Sequence, residues 1–225
     1  TLYHPRDLPF WVSRIPDVFT DFRKAVEQQS KIRPIFAEPT AAPLPEGIEI
    51  GKMPEIYELI LFSQLPTADP RGVLPFKGGE TEALHRLQTY FWDNDQLKTY
   101  KETRNGLLGA DFSSKFSPWL AYGCISPRQI YEEVKRYEAE RVANDSTYWL
   151  VFELIWRDYF RFITLKYGSR LFKASGIQYN LETTWNHRRD LFEKWVNGQT
   201  GVPFIDANMR ELQLTGFMSN RGRQN

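Results

Sequence analysis

Residues 149–162 read WLVFELIWRDYFRF, a run in which one acid, Glu153, is set among Trp149, Phe152, Trp156, Tyr159, Phe160 and Phe162. On an α-helix each residue turns by about 100°. Trp149, Glu153, Trp156 and Phe160, at i, i+4, i+7 and i+11, then share one face. A carboxylate among apolar rings is costly unless something partners it. Arg157, one turn on, can neutralise Glu153 as a solvated i,i+4 pair. Alternatively, Glu153 faces a polar ligand held between aromatic walls.

Two further stretches carry groups that could bind a ligand. In TRNGLLGADFSSKFSPWLAYGCISPR, residues 103–128, Ser113, Ser114 and Ser117 gather where a loop meets a short helix. Hydroxyls and unpaired N–H groups at such a junction suit a phosphate, although serines there also serve as ordinary helix caps. The final NRGRQN sets Arg221 and Arg223 beside Asn220 and Gln224. Guanidiniums grip phosphate or the polar edge of a ring cofactor, and carboxamides both donate and accept toward base edges. The same residues would also make an exposed polar helix start.

Composition sets limits on these readings. With 225 residues, 41% hydrophobic and 25% charged, the chain can bury a real core as a globular protein. Aromatic residues reach 15%, including seven Trp, a high share of side chains that stack on bases and ring cofactors. The net charge is +1, but unevenly distributed: residues 1–97 carry −4 and residues 98–225 carry +5, which suggests an anionic partner for the second half. A single cysteine, Cys124, rules out an internal disulfide, and the scattered His4, His85 and His187 suggest no metal site. No apolar run approaches the 18 residues of a membrane span.

The elements that must position these groups read as helical. Residues 1–23 suggest a short connector and helix, with apolar spacing near 3.6 across SRIPDVFTDFRKAVEQ. Residues 31–55 are rich in Pro and small residues and read as a long linker; residues 66–78 read as a loop. From Gly79 helical periodicity sets in, with Ala83, Leu84, Leu87, Tyr90 and Phe91 on one side. Ser126 and Pro127 open the next helix, whose stripe is Ile130, Val134 and Tyr137. The longest helix is expected to be capped by Ser146 and stopped by Gly168. RRDLFEKWVNG and PFIDANMRELQLTG supply two more, ending at Gly198 and Gly216. With no convincing strand, the expectation is an all-α chain: a connector over 1–78, then a helical bundle with short loops over 79–225.

The segments ELIWRDYF, SSKFSPWLAYGCISPR and WVNGQTGVPFIDANMRELQLTGFMSNR together resemble the flavin domain of the cryptochrome/photolyase family. STYWLVFELIWRDYFRF, YKETRNGLLG and the RGRQN ending look like its DASH-type members. TLYHPRDLPF is similar to the connector that leaves the family's N-terminal α/β antenna domain. The resemblance covers essentially the whole chain. It implies a helical FAD-binding domain preceded by an irregular interdomain linker. It also implies a piece of a longer protein, lacking the antenna domain and the last part of the flavin domain.

The resemblance further implies roles residue by residue. Tyr100, Ser113, Ser114, Lys115, Phe116 and Ser117 match contacts to the FAD phosphates. The commoner photolyase wording there is Thr-Ser-Arg-Leu-Ser, and SSKFS keeps the hydroxyls and the cation. Arg157, Asn220 and Arg223 match groups around the flavin. Arg104, Arg221 and Gln224 match the DNA side. Glu153 and Trp156 match the acid and the ring that hold a pyrimidine dimer, and Trp195 the outer member of an electron-transfer chain. The inner members of that chain would fall beyond Asn225. The implied activity is light-driven, FAD-dependent repair of cyclobutane pyrimidine dimers in single-stranded or looped DNA by a monomer, with a folate-type antenna pigment in the intact protein. Blue-light signalling without repair, or non-catalytic nucleic-acid binding, are the alternatives.

Overall fold

A computed structural model describes residues 1–37, 39–40, 42–59 and 67–224, and among them there is no strand. The α-helices are α1 (Phe19–Gln29), α2 (Ile56–Leu59), α3 (Glu80–Gln88), α4 (Tyr100–Thr103), α5 (Ser117–Tyr122), α6 (Pro127–Glu140), α7 (Asp145–Tyr167), α8 (Arg189–Val196), α9 (Pro203–Thr215) and α10 (Asn220–Arg223). Short 3₁₀ turns lie between several of them, and a π-turn at Thr89–Asp93 extends α3. None of these helices is long and apolar enough to cross a membrane. The expected helix for 13–28 begins only at Phe19, after Pro16, since the residue before a proline is pushed out of helical geometry.

Helix α7 is the axis of the fold, 23 residues and so about 35 Å long. Its cap is Asn144, not the expected Ser146. Asn144 Oδ1 accepts from the Ser146 and Thr147 N–H groups at 2.9 and 3.1 Å, and Thr147 Oγ1 in turn accepts from Asn144 N. Ser146 lies inside the first turn, buried, where its Oγ accepts from Lys101 N and donates to Glu102, each at 2.9 Å. The Lys101–Asp145 ion pair at 2.6 Å completes the bolt that holds α4 against the start of α7. The inner face of α7 buries Leu150, Leu154, Ile155, Phe162 and Ile163, while Gly168, at φ 54°, ends the helix as expected.

The N-terminal residues belong to the same core: Leu2, Tyr3, Ile15, Phe19, Phe22 and Val26 are buried with α7. Asp158, fully buried on α7, accepts from the Leu2 and Tyr3 N–H groups at 3.0 and 2.8 Å. Those bonds satisfy a carboxylate that burial alone would penalise. Residues 31–37 run extended along α6, where Arg128 holds the Pro34 carbonyl and stacks over Phe36. Ser126 caps α6 and Ile130, Val134 and Tyr137 are fully buried, as the stripe predicts. On α3 and the π-turn that extends it, Ala83, Leu87, Tyr90 and Phe91 are buried but Leu84 is exposed. The place expected for Leu84 is taken by Arg86, at i+3 from Ala83. The second half is less compact in its loops than a simple bundle: residues 173–188 form a long irregular stretch before α8.

Candidate functional site

The outer face of α7 lines a cavity of about 500 Å³. The opposite walls are the loop at 113–117 with the start of α5, residues Tyr100 and Arg104 of α4 and its C-cap, and Phe217, Met218, Asn220 and Arg223 around α10. Tyr100, Ser113, Ser114, Lys115, Phe116, Ser117, Arg157, Asn220 and Arg223 all line it, and so do Arg104, Glu153 and Trp156.

The serine loop is shaped by Arg86, a residue sequence reasoning passed over. Its guanidinium donates to the carbonyls of Ala110 at 2.8 Å, Ser113 at 3.3 Å and Ser114 at 3.0 Å, and pairs with Asp111 at 2.9 Å. An arginine at a core position of α3 was the signal: a buried cation needs an acid or several carbonyls. With its carbonyls drawn toward Arg86, the loop sets Ser113, Ser114 and Ser117 on the cavity wall. Lys115 takes a left-handed backbone conformation at φ 56°, which costs about 1–3 kcal/mol for a side-chain-bearing residue. Burial, reinforced by the nearby Arg86, lowers the Lys115 pKa. Its ammonium has a long 3.4 Å contact with Ser113 Oγ and sits 5.7 Å from the Phe217 ring centroid. An anion in the cavity would relieve that deficit.

Helix α10 is brought to the cavity by close approach to α9. A Cβ at Gly222 would run into the side chain of Asn208, which would have to shift to admit it. Ser219 caps the helix through a 3.0 Å bond from Gly222 N. This places Asn220 and Arg223 on the wall.

On α7 the i,i+4 reading for Glu153 is corrected. Arg157 turns instead to the Leu120 carbonyl, which its Nη2 reaches at 3.0 Å, and its Nη1 is buried with no hydrogen-bond partner. Glu153 pairs with Arg104, Nη1 to Oε1 at 2.7 Å, with side chains 29% and 23% exposed. Burial raises the Glu153 pKa, against the pull of the Arg104 guanidinium. Trp156 stacks face to face on Phe19 with centroids 3.4 Å apart, and on Phe160 at 5.3 Å. Phe19, from the N-terminal helix, was not expected at this site; only the long-range fold brings it there.

Three of the sequence-derived site residues lie off the cavity wall. Arg221 donates to Asn105 Oδ1 at 2.6 Å, beside Arg104, and Gln224 is exposed just past α10. Trp195, on α8 beside Phe192, is 44% exposed.

Residues 149–225 match the family model described as the FAD binding domain of DNA photolyase. Over its full length the chain is 57% identical to a cryptochrome DASH of Danio rerio, covering 43% of that protein. It superposes on the crystal structure of a Synechocystis cryptochrome with a TM-score of 0.91 at 57% identity, over all of this chain and 46% of that one. A bacterial class III photolyase from Agrobacterium tumefaciens gives a TM-score of 0.77 at 26% identity, over 99% of this chain and 45% of that one. The chain thus spans a little under half the length of these relatives. The cavity fits the cofactor of this family: hydroxyls and a cation short of a partner stand on the serine loop, and a buried, unpartnered guanidinium N–H stands at Arg157. By sequence and by fold, the chain is similar over its whole length to the cryptochrome/photolyase family and is like its DASH-type members.

Proposed function

We propose that the protein carrying this chain repairs cyclobutane pyrimidine dimers in a light-driven, FAD-dependent reaction, preferring single-stranded or looped DNA. What carries this reading is that Glu153 and Trp156 stand on the wall of the same cavity as the serine loop. In this reading Tyr100, the 113–117 loop, Arg157, Asn220 and Arg223 hold the cofactor, with Lys115 and the serine hydroxyls on its phosphates. When bound, the reduced flavin supplies a photoexcited electron that is lent to the dimer and recovered. No net oxidation occurs: the two C–C bonds of the cyclobutane break, two C=C bonds re-form, and no proton is lost.

The chain's own part is to bind, orient and exclude water. Trp156, backed by Phe19 and flanked by Phe160, offers an apolar wall to an extruded pyrimidine pair. Glu153 is placed to accept from an N–H on the pairing edge, a charge-assisted bond in a partly dry site. The cationic excess of residues 98–225 favours a polyanion. Arg104, Arg221 and Gln224 are assigned to the DNA side, Arg221 beside Arg104 through Asn105. Trp195, half in solvent, is assigned as the outer electron relay. A preference for single strands follows if the pocket contributes little toward unpairing a duplex.

The test is light-dependent loss of dimers from a damaged oligonucleotide by the full-length protein. Glu153→Gln is expected to keep its flavin and to lower the yield per photon several-fold. Equal yields would remove Glu153 from the site, and absence of light-dependent loss in the wild type would overturn the repair reading.

A further inference from the structure

Arg104 and Glu153 occupy each other, yet the proposed function needs both for DNA. Glu153 Oε1 is taken by Arg104 Nη1 at 2.7 Å. The same guanidinium lies 5.4 Å from the Trp149 ring centroid, so it is held inward by two contacts with α7. The backbone beneath it is fixed. Arg104 N donates to Tyr100 O at 2.9 Å, and α4 is bolted to the start of α7 through Ser146 and the Lys101–Asp145 pair. An exchange of partners by Arg104 therefore needs only its side chain to turn. Its sequence neighbour Asn105 accepts from Arg221.

We propose that Arg104 is a two-position arginine: counter-ion of Glu153 while no DNA is bound, and phosphate ligand at the rim once a base edge takes Glu153. Stripping the counter-ion from a half-buried carboxylate is unfavourable unless both charges are satisfied anew. A base edge alone supplies hydrogen bonds to Glu153 but nothing for Arg104. A phosphate alone supplies Arg104 but strands Glu153. A damaged strand that delivers both together can make the exchange, so the ion pair discriminates against DNA that offers only a backbone. The other charged groups on this cavity are Lys115, Arg157 and Arg223, with Tyr100 facing Glu153 from α4. None of them forms an ion pair with Glu153, so Arg104 carries the exchange.

The exchange rests on the assigned DNA-binding role of this cavity, and it is testable without light or damage. The measurement is the salt dependence of binding to an undamaged single-stranded oligonucleotide by the full-length protein. Glu153→Gln releases Arg104 to the backbone, so binding should tighten several-fold. The slope of log K against log salt should steepen by about 0.7, the value for one more neutralised phosphate on a single strand. Arg104→Gln should keep the wild-type slope, and the double variant should return to it. A slope already shallower in Arg104→Gln, with Glu153→Gln unchanged from wild type, would show Arg104 on phosphate from the outset and overturn the exchange. Dimer loss under light in the same preparations reports separately on repair. Its absence, with the salt response intact, sinks the repair reading and leaves the exchange standing.

Discussion

Two regions of this molecule are built from the same kinds of side chain and differ in whether those side chains are satisfied. On the flank formed by the π-turn and α6, Trp92 lies under two guanidiniums, Arg136 at 4.4 Å and Arg141 at 5.1 Å from its centroid, and donates to Glu133 at 2.6 Å. Arg136 also pairs with Glu133. Asp95 beside it accepts from Lys98, Tyr137 and Arg141 at 2.5–2.6 Å. At the cavity, the indole of Trp156, the cations of Lys115 and Arg157 and the acid of Glu153 surround a hollow. There Arg157 Nη1 has no partner and Lys115 has only a long contact. Aromatic rings and arginines do not by themselves mark a site. A cluster whose cations and acids pair with one another holds elements together, and one with donors left over around a hollow is prepared for something else.

That contrast can be broken in three places. The largest effect is expected from Arg86→Leu, which strips the serine loop of the donor to three carbonyls. Each orphaned carbonyl costs free energy, discounted where water reaches it, so the loss should be about 3 kcal/mol in denaturant unfolding. Flavin absorbance of the purified full-length protein should fall with it. Normal flavin content would mean that the loop holds its shape without Arg86. Gly222→Ala comes next, with a cost of about 1–3 kcal/mol from overpacking against Asn208. By displacing Asn220 and Arg223 it should weaken flavin retention out of proportion to the stability lost. Equal flavin affinity would show that α10 can shift without consequence for the cavity.

The smallest effect is expected on the saturated flank. Burial works against ionising Asp95, but its bonds from Lys98, Tyr137 and Arg141 outweigh it and hold its pKa well below the usual carboxylate range. Because the folded-state pKa is depressed, the stabilisation is present above the unfolded value near 3.8 and is lost as pH falls through the folded one. Asp95→Asn should therefore cost about 1 kcal/mol at neutral pH, a modest figure because the group is largely solvated. The difference from wild type should vanish in strong acid, and flavin content should stay unchanged at every pH. Flavin loss in Asp95→Asn would erase the distinction between the two regions.

The helical class and most of the helix ends are legible in the residues alone. Periodicity, Pro127 and Pro203 at helix starts, and Gly168 and Gly216 at helix ends act within a few residues of chain. The residues alone also single out the face of α7 that carries Glu153 and Trp156, because helical spacing puts them together whatever surrounds them. Their partners come from the packing of segments far apart in the chain. Arg104 rather than Arg157 neutralises Glu153, although Arg104 is 49 residues away, and Phe19 backs Trp156 from another helix. Arg86 shapes the serine loop across 24 to 28 residues of chain. Ion pairing and ring stacking act over a few ångströms of space. Sequence spacing reports that distance only within one helix, and beyond it the partner of a buried charge is chosen by how the helices pack.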